Sequence, residues 1–352
     1  MAQIDTPRRR GFRMPAEWEP HYATWLAWPH ERSDWPGKFK PVAWVYGDFV
    51  RHLTYYERVF ILVKDEVLQE KARKVCERAG AFMPQVEFVI QPTNRSWTRD
   101  SCPIFVKSRG GEVGVTDWHF NGWSKYDNWQ ADDALPAAIA AHQQMRAWKP
   151  ELDGRRIVLE GGSIDVNGRG SLLTTEECLL SPIQARNPGL TRADIERVLR
   201  NYLAATNVLW LRNGIAGDDT HGHVDDLARF VNPTTIVVAS EDDRTDANYE
   251  PLKENYQILK LMANEREVPL NIVKLPMPQA IYFDGQRLPA SYANFYIANQ
   301  LVLVPTFNDP SDRIALNTLA RLFPDREVRG IHCLDLVLGL GTLHCMTQQQ
   351  PL

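Results

Sequence analysis

Four polar clusters in this chain hold reactive side chains at unusual density. They are Trp97-Thr98-Arg99-Asp100, Leu159-Glu160-Gly161-Gly162, the run from Asp218 and Asp219 through Thr220, His221, Gly222, His223 and Val224 to Asp225 and Asp226, and Gly339-Leu340-Gly341-Thr342-Leu343-His344-Cys345. Cys345 stands beside His344 and is followed by a polar tail, Thr347-Gln348-Gln349. A cysteine with a histidine elsewhere in the chain is a candidate nucleophile, because a thiolate needs a nearby proton acceptor or positive charge to form. Taken alone, a cysteine is more often a small core residue. Asp100, Glu160 and Asp225 lie in segments too polar for simple core, although each by itself reads as a surface or capping carboxylate. Brought together, they make an anionic pocket that calls for a cationic ligand, planar if several carboxylates pair with it at once. Carboxylates also raise the pKa of a neighbouring thiol and suppress the nucleophile. A guanidinium substrate resolves that conflict: its charge offsets the acids, its binding favours the thiolate, and the acids align its electrophilic carbon. His223 would then protonate the departing ammonia and deprotonate the incoming water.

The elements that must position these groups follow from hydropathic period. Short β-branched runs alternate with amphipathic stretches, the pattern of a mixed α/β protein. Strands are expected at Val59 to Val63, Val86 to Ile90, Val208 to Leu211, Ile236 to Ala239, Asn271 to Leu275, Leu301 to Val304 and Val328 to Ile331. Helices are expected to begin near Glu66, Asp132, Thr191, Asn248 and Ser311. Thr191 with Asp194 makes a capping box ahead of an apolar face of Ile195, Val198, Leu199 and Tyr202. The helix starts recur roughly every 60 residues. Apolar runs precede the last three (Leu179-Leu180, Ile236 to Ala239 and Leu301 to Val304), and a strand follows each of them. Such a unit cannot bury its own apolar face, so copies pack side by side, and about five account for the length. An ordinary α/β protein with evenly spaced elements is the alternative. The clusters sit just after the strands that follow the helices, with Glu160 closing an Ile157 to Leu159 run. In a ring of repeats such positions converge on the axis, which would place Asp100 and Cys345 in one pocket. No low-complexity linker divides the chain, so one domain over residues 1–352 is expected.

Composition narrows the partners. Forty Lys and Arg against 44 Asp and Glu leave a formal charge of −4, which gives no general attraction to phosphate backbones or anionic lipid. Nucleic acid and membrane are therefore not expected as partners. Three arginines near the N-terminus lack an apolar segment behind them, so neither a secretory signal nor an anchor is read there. No later run approaches the roughly 18 apolar residues of a membrane span. Five cysteines without C-x-x-C spacing speak against a disulfide scaffold or zinc ribbon and for a reducing, cytoplasmic setting. Of the 11 tryptophans, Trp97 and Trp123 sit among polar residues and are candidates to cap a pocket. The sequence is compatible with a homo-oligomer but does not determine one.

At these residues the chain resembles the agmatine deiminase family, within the guanidine-modifying superfamily that includes bacterial peptidylarginine deiminases and arginine deiminases. Six ordered segments carry the resemblance, over nearly the whole chain: Met14-Pro15-Ala16-Glu17-Trp18-Glu19-Pro20, the Trp97 to Asp100 cluster, Leu159 to Ser163, Gly222 to Asp225, Ala290 to Tyr296 and His344 to Gln349. The resemblance implies a pentein-type, five-bladed α/β propeller of ββαβ-like repeats around a central site. It implies hydrolysis of agmatine, a small cationic guanidinium substrate, to N-carbamoylputrescine and ammonia, with no metal and no cofactor. By motif position Cys345 would be the nucleophile, His223 the proton carrier, Asp100 and Asp225 the guanidinium-pairing carboxylates, and Glu160 the residue that positions His223. Trp97 would shape the guanidinium pocket, and Asn294 would join the substrate-binding set. Asp218 and Asp219 are candidate partners for the terminal ammonium, with a solvated acidic loop as the alternative. The chain departs from the family pattern at Cys102, Asp165, Leu340 and Thr342, which puts the walls for the substrate tail in question.

Other readings compete. Peptidylarginine or free arginine deimination uses the same chemistry with different tail recognition. Thr220 to Asp226 partly matches the T-H-x-H-x-D-H zinc motif of metallo-β-lactamase-like hydrolases, but Asp226 replaces the last histidine. A non-catalytic scaffold of the same fold would have no reason to keep a thiol among three acids.

Overall fold

The computed structural model describes residues 5–352. Among the described residues, five sheets of three or four strands account for most of the β-structure, with two further two-stranded ribbons. Four of the five follow one plan: an antiparallel pair, then a helix, then a strand returning parallel to the middle one. In order, the returning helices are Leu135–His142, Arg192–Leu203, Tyr249–Leu259 and Pro310–Leu322. The strand trios are Ile104–Ser108, Val113–Thr116 and Arg146–Trp148; Asp165–Val166, Ser171–Thr175 and Asn207–Leu211; Ala228–Asn232, Thr235–Ser240 and Asn271–Pro276; and Tyr296–Ala298, Leu301–Thr306 and Glu327–His332. The fifth sheet joins the two ends of the chain. Gln348–Pro351 runs antiparallel to His21–Ala27, which pairs parallel with Arg58–Val63 across helix Phe39–Leu53, and Arg58–Val63 in turn pairs parallel with Val86–Ile90 across helix Glu66–Ala79.

Local chemistry explains the boundaries. The Thr191 hydroxyl accepts the Asp194 N–H at 3.2 Å while Asp194 accepts the Thr191 N–H at 3.0 Å, the expected capping box, and Ile195, Val198, Leu199 and Tyr202 are buried behind it. Helix Pro310–Leu322 starts one residue ahead of the expected Ser311, because Asp309 caps it and Pro310 supplies the preset φ of a first helical residue. The helix expected near Asp132 divides into Gln130–Asp133 and Leu135–His142, with Pro136 opening the second piece. Two of the apolar runs in the sequence do not form strands. Leu179 and Leu180 end a short helix, Glu176–Leu180, nucleated where the Thr175 hydroxyl accepts the Cys178 N–H at 3.0 Å, and the strand is the preceding Ser171–Thr175. Ile157 to Leu159 makes one isolated bridge, Val158 with His119, and the Val158 N–H goes instead to the Asn187 side chain at 3.0 Å.

The largest apolar cluster runs from Val42, Tyr46, Phe49 and Val50 through Ile61 and Val63 to Leu301–Val304, and it reaches Trp97, Trp123 and Cys345. Close-packed core therefore backs the polar loops directly. No helix among the described residues is long and apolar enough to cross a membrane.

Candidate active site

One loop from each sheet meets its neighbour in cyclic order. The turn Thr98–Ser101 packs on Gly161–Ser163, that on Val224–Asp226, and that on Tyr292–Asn294. Asn294 accepts backbone N–H bonds from His344, and the Arg99 N–H donates to the Cys345 carbonyl at 3.1 Å, which closes the cycle. Gly162 is required by this crowding: a Cβ there would lie 2.6 Å from His223 Nδ1 and 2.9 Å from Asp100 Oδ1.

Cys345 is buried, with Asn294 Nδ2 donating to its Sγ at 3.0 Å and Asp225 Oδ2 3.6 Å away. Burial, then Asp225, Asp226 and Asp100, push this thiol well up and favour its neutral form. His223 Nδ1 stands 3.8 Å from Asp100 Oδ1 and 4.0 Å from Asp225 Oδ1, and its Nε2 stands 3.6 Å from Glu160 Oε2. Burial opposes its charge, but Asp100, Cys178 and Glu160 outweigh burial and hold the imidazole well above its usual pKa. Glu160 is also fully buried, yet the Arg186 guanidinium 3.0 Å away and His223 hold its carboxyl down at about 2.

Asp100 is aimed by two donors, the Gly162 N–H at 3.0 Å and Trp123 Nε1 at 2.9 Å. Burial raises it to about 6, with Asp225 and Glu160 adding to the rise against His223. Asp225 Oδ2 accepts from His344 Nδ1 at 2.7 Å and from Asn294 at 3.3 Å. Its Oδ1 has no partner, and neither do Glu160 Oε2 nor either nitrogen of His223. Unpaired buried polar atoms cost on the order of 1–3 kcal/mol each; Asp225 Oδ1 and His223 Nδ1, 4.0 Å apart, are such a pair on the edge of the imidazole that faces Asp100, and Glu160 Oε2 and His223 Nε2, 3.6 Å apart, are a second pair on its other edge.

Asp100 and Cys345 both line a cavity of about 250 Å³. Trp97, Trp123 and Tyr126 wall it, with Asp34, Arg95 and Asp219 on its sides and Phe283, Leu288 and Leu340 among the apolar residues. Trp97 Nε1 donates to Asp34 Oδ2 at 3.1 Å. At position 341 a Cβ would approach Trp97 to 2.7 Å and Cys345 Sγ to 3.2 Å, so glycine lets indole and thiol share one wall.

Two of the expected substrate contacts have different surroundings. Asp218 does not line the cavity: it accepts from the Thr220 N–H and hydroxyl, the Gly222 N–H and the His223 N–H at 2.5–2.9 Å, and so builds the loop that carries His223. Asn294 also lies outside the lining and holds the cysteine segment through Thr342 Oγ1 at 2.8 Å, the His344 N–H at 3.0 Å and the Cys345 thiol. Asp219 lines the cavity and pairs with Lys125 and with the Tyr126 hydroxyl. The zinc motif is not assembled. His221 turns to Ser181 Oγ at 3.1 Å and Glu177 Oε1 at 3.7 Å, and among the described residues no cluster of candidate metal ligands includes it.

Behind the cysteine lies a network that motif spacing does not reveal. Glu17 Oε2 meets His344 Nε2 and Arg229 Nη2, each at 2.8 Å, and Arg99 at 3.5 Å. Burial opposes the Glu17 charge, but Arg229, His344 and Arg99 hold it well below the usual carboxylate range. Arg229 also pairs with Asp165 at 2.9 Å, which gives that departure from the family pattern a structural task. A lone arginine in the apolar strand Ala228–Asn232 was the available signal, since a buried guanidinium has to be paired.

An agmatine deiminase of Pseudomonas aeruginosa is 36% identical, over 98% of this chain and 97% of its own. The structure of an agmatine deiminase of Enterococcus faecalis superposes with a TM-score of 0.90 at 32% identity, covering 99% of this chain and 98% of that one. A substrate-bound agmatine deiminase variant of C. jejuni gives a TM-score of 0.84 at 28% identity, over 96% of each chain. The family model for Porphyromonas-type peptidyl-arginine deiminases matches residues 13–351. The chain belongs to that family.

Proposed function

We propose that this protein hydrolyses agmatine to N-carbamoylputrescine and ammonia. The observation that carries the reading is an anionic cavity lined by Asp100 and the Cys345 thiol, with Asp225 directly behind them, its Oδ2 3.6 Å from that thiol and its Oδ1 without a hydrogen-bond partner. A guanidinium supplies the missing donors and the missing positive charge together. Its arrival beside Asp100 and Asp225 draws the Cys345 thiol down, and the proton leaves to solvent. The thiolate attacks the guanidinium carbon, and His223, protonated in the resting site, gives its proton to the departing nitrogen as the C–N bond breaks. The amidino-thioether is then attacked by water, which His223 deprotonates; the C–S bond breaks, and the ureido product leaves after losing a proton to solvent. Glu160, kept ionised by Arg186, stabilises His223 in its charged form.

The tail preference follows from charge. Asp34, Asp100 and Asp219 line the cavity, and the two cations beside it are already paired, Arg95 with Asp34 and Lys125 with Asp219. Acidic walls with no free cation suit the ammonium tail of agmatine better than the carboxylate of arginine. Arg95 itself is taken by Asp34 and by Asn128 at 3.3 Å, and it lies 4.3 Å over the Tyr126 ring, so it does not offer a free fork to an α-carboxylate. We also read the five sheets as five propeller blades around the loop cycle, forming one catalytic domain over residues 1–352. A free catalytic thiol fits a cytoplasmic setting.

The test is kcat/KM for ammonia release on agmatine, arginine and a C-terminal arginine peptide, with Cys345→Ser as the control. Agmatine is expected to lead and the variant to release nothing. Preference for the peptide overturns the substrate, and full activity of the variant overturns the mechanism. An experimental structure without a common axis through the five sheets would refute the propeller.

A further inference from the structure

We propose that Cys178, His223 and Glu160 form a site for a borderline-soft divalent cation, best suited to zinc, on the side of His223 that faces Glu160. Cys178 exchanges no proton and forms no bond in the reaction above, and enters it only by favouring the charged form of His223. It lies in the one-and-a-half-turn helix Glu176–Leu180 and is fully buried. One ligand atom from each of the three side chains lies within 4.8 Å of the other two. Zinc bonds of 2.0–2.3 Å in tetrahedral geometry ask for ligand separations of roughly 3.3–3.8 Å, and His223 Nε2 already stands 3.6 Å from Glu160 Oε2.

The ligand atoms are free to bind. Glu160 spends Oε1 on Arg186 at 3.0 Å, while Glu160 Oε2 and His223 Nε2 are buried with no hydrogen-bond partner. Thiolate, imidazole and one carboxylate oxygen form a donor set that suits zinc and not magnesium or calcium, which prefer oxygen. On binding, Cys178 gives its thiol proton and His223 its Nε2 proton to solvent, the metal bonds to that sulfur, that nitrogen and Glu160 Oε2, and a water fills the fourth position. The ion would pin the imidazole and occupy its Nε2 edge, so a bound ion inhibits turnover. The inhibition rests on the proposed role of His223, whereas the binding does not.

The experiment measures binding and activity separately on chelator-treated full-length protein. Zinc affinity is read by competition with a chromophoric indicator for wild type, Cys178→Ser and Cys345→Ser. Wild type and Cys345→Ser are expected to bind one zinc alike, and Cys178→Ser at least about 10- to 100-fold more weakly. Cobalt added to Cys345→Ser should show a thiolate charge-transfer band that Cys178→Ser/Cys345→Ser lacks, and Cys178→Ala serves if the serine variant fails to fold. Zinc should inhibit the wild type slowly, because the site is buried, and chelator should reverse it; Cys178→Ser should resist inhibition. No zinc binding by wild type, equal binding by Cys178→Ser, or loss of binding in Cys345→Ser overturns the proposal. The last outcome would move the ion to the alternative cluster of Asp225, Asp226 and Cys345. Binding without inhibition keeps the site and refutes the role given to His223.

Discussion

Gly162→Ala tests whether the site depends on backbone crowding as much as on its reactive side chains. The added methyl would sit 2.6 Å from His223 Nδ1, whereas ordinary contact begins at 3.4 Å, so the ring or its loop must yield by about 0.8 Å. The ring has little room to retreat, because Glu160 stands 3.6 Å behind its Nε2 and Gly222 and His223 are tied through their N–H groups to Asp218. Misplacing a reacting group by about 1 Å costs on the order of 100-fold in rate, or about 2.7 kcal/mol. Overpacking separately costs roughly 1–3 kcal/mol of stability. The assay is steady-state ammonia release with thermal unfolding of the same preparation. The expected result is a kcat lowered by about 100-fold in protein that still unfolds cooperatively a few degrees lower. A kcat within about 3-fold of wild type, a change under 1 kcal/mol, would refute the argument that His223 is held in register by Gly162.

Trp123→Phe removes the indole donor to Asp100, a hydrogen bond to a charged group worth about 1.5–3 kcal/mol, so kcat/KM should fall by about 10- to 100-fold. That donor lowers a carboxyl which burial raises to about 6, so the acid limb of kcat/KM, expected near pH 6, should move to higher pH in the variant; a limb that stays or moves down contradicts the assignment. Trp97→Ala should reduce kcat/KM more than Trp148→Ala, because Trp97 walls the cavity, whereas Trp148 packs edge-on to Phe12 with ring centroids 5.0 Å apart. Trp148→Ala should instead lower stability by about 3–5 kcal/mol; equal kinetic losses per folded molecule would show that the cavity wall has been overread. Asp219→Asn should raise KM for agmatine with kcat held. Asp218→Asn should lower kcat, since an amide cannot accept all four donors that build the His223 loop. The reverse pattern would exchange their roles.

Strands made of Val, Ile and Leu were legible because such residues favour a pleated, buried surface, and helices Arg192–Leu203 and Pro310–Leu322 were legible from their apolar faces. Ser171–Thr175 was not: it is buried throughout but reads Ser-Leu-Leu-Thr-Thr, with too little apolar contrast to show a period. Helix Phe39–Leu53 was hidden by Pro41 near its start and Gly47 within it; at Gly47 a Cβ would lie 3.0 Å from Val75, so glycine there serves helix packing. The reactive side chains stood out because polar clusters at strand ends have no packing reason to be so rich in acids and histidines. Their supports did not. Glu17, Arg99 and Arg186 look like ordinary surface charges in sequence, Arg229 alone is set off by its apolar strand, and it is their burial that shows them paired with one another or with Glu160, His344 and Asp165.

The supports explain why the site can hold its charges apart. Glu17 and Glu160 are kept ionised by buried arginines, and each braces a histidine, His344 behind the nucleophile and His223 beside it. Asp100 and Cys345 are treated in the opposite way, both pushed toward their neutral forms by burial with no arginine against them. Burial thus disfavours charge on Asp100 and Cys345, whereas the charges of Glu17 and Glu160 are settled by their arginines. In the proposed reaction a guanidinium offsets both penalties at once, so that binding and activation of the thiol are one electrostatic event. A neutral ligand of the same shape would leave the thiol protonated and unreactive. In the proposed reaction, selectivity for a cationic headgroup arises in the same step that creates the thiolate, and the carboxylates that oppose ionisation of the cysteine make its reactivity conditional.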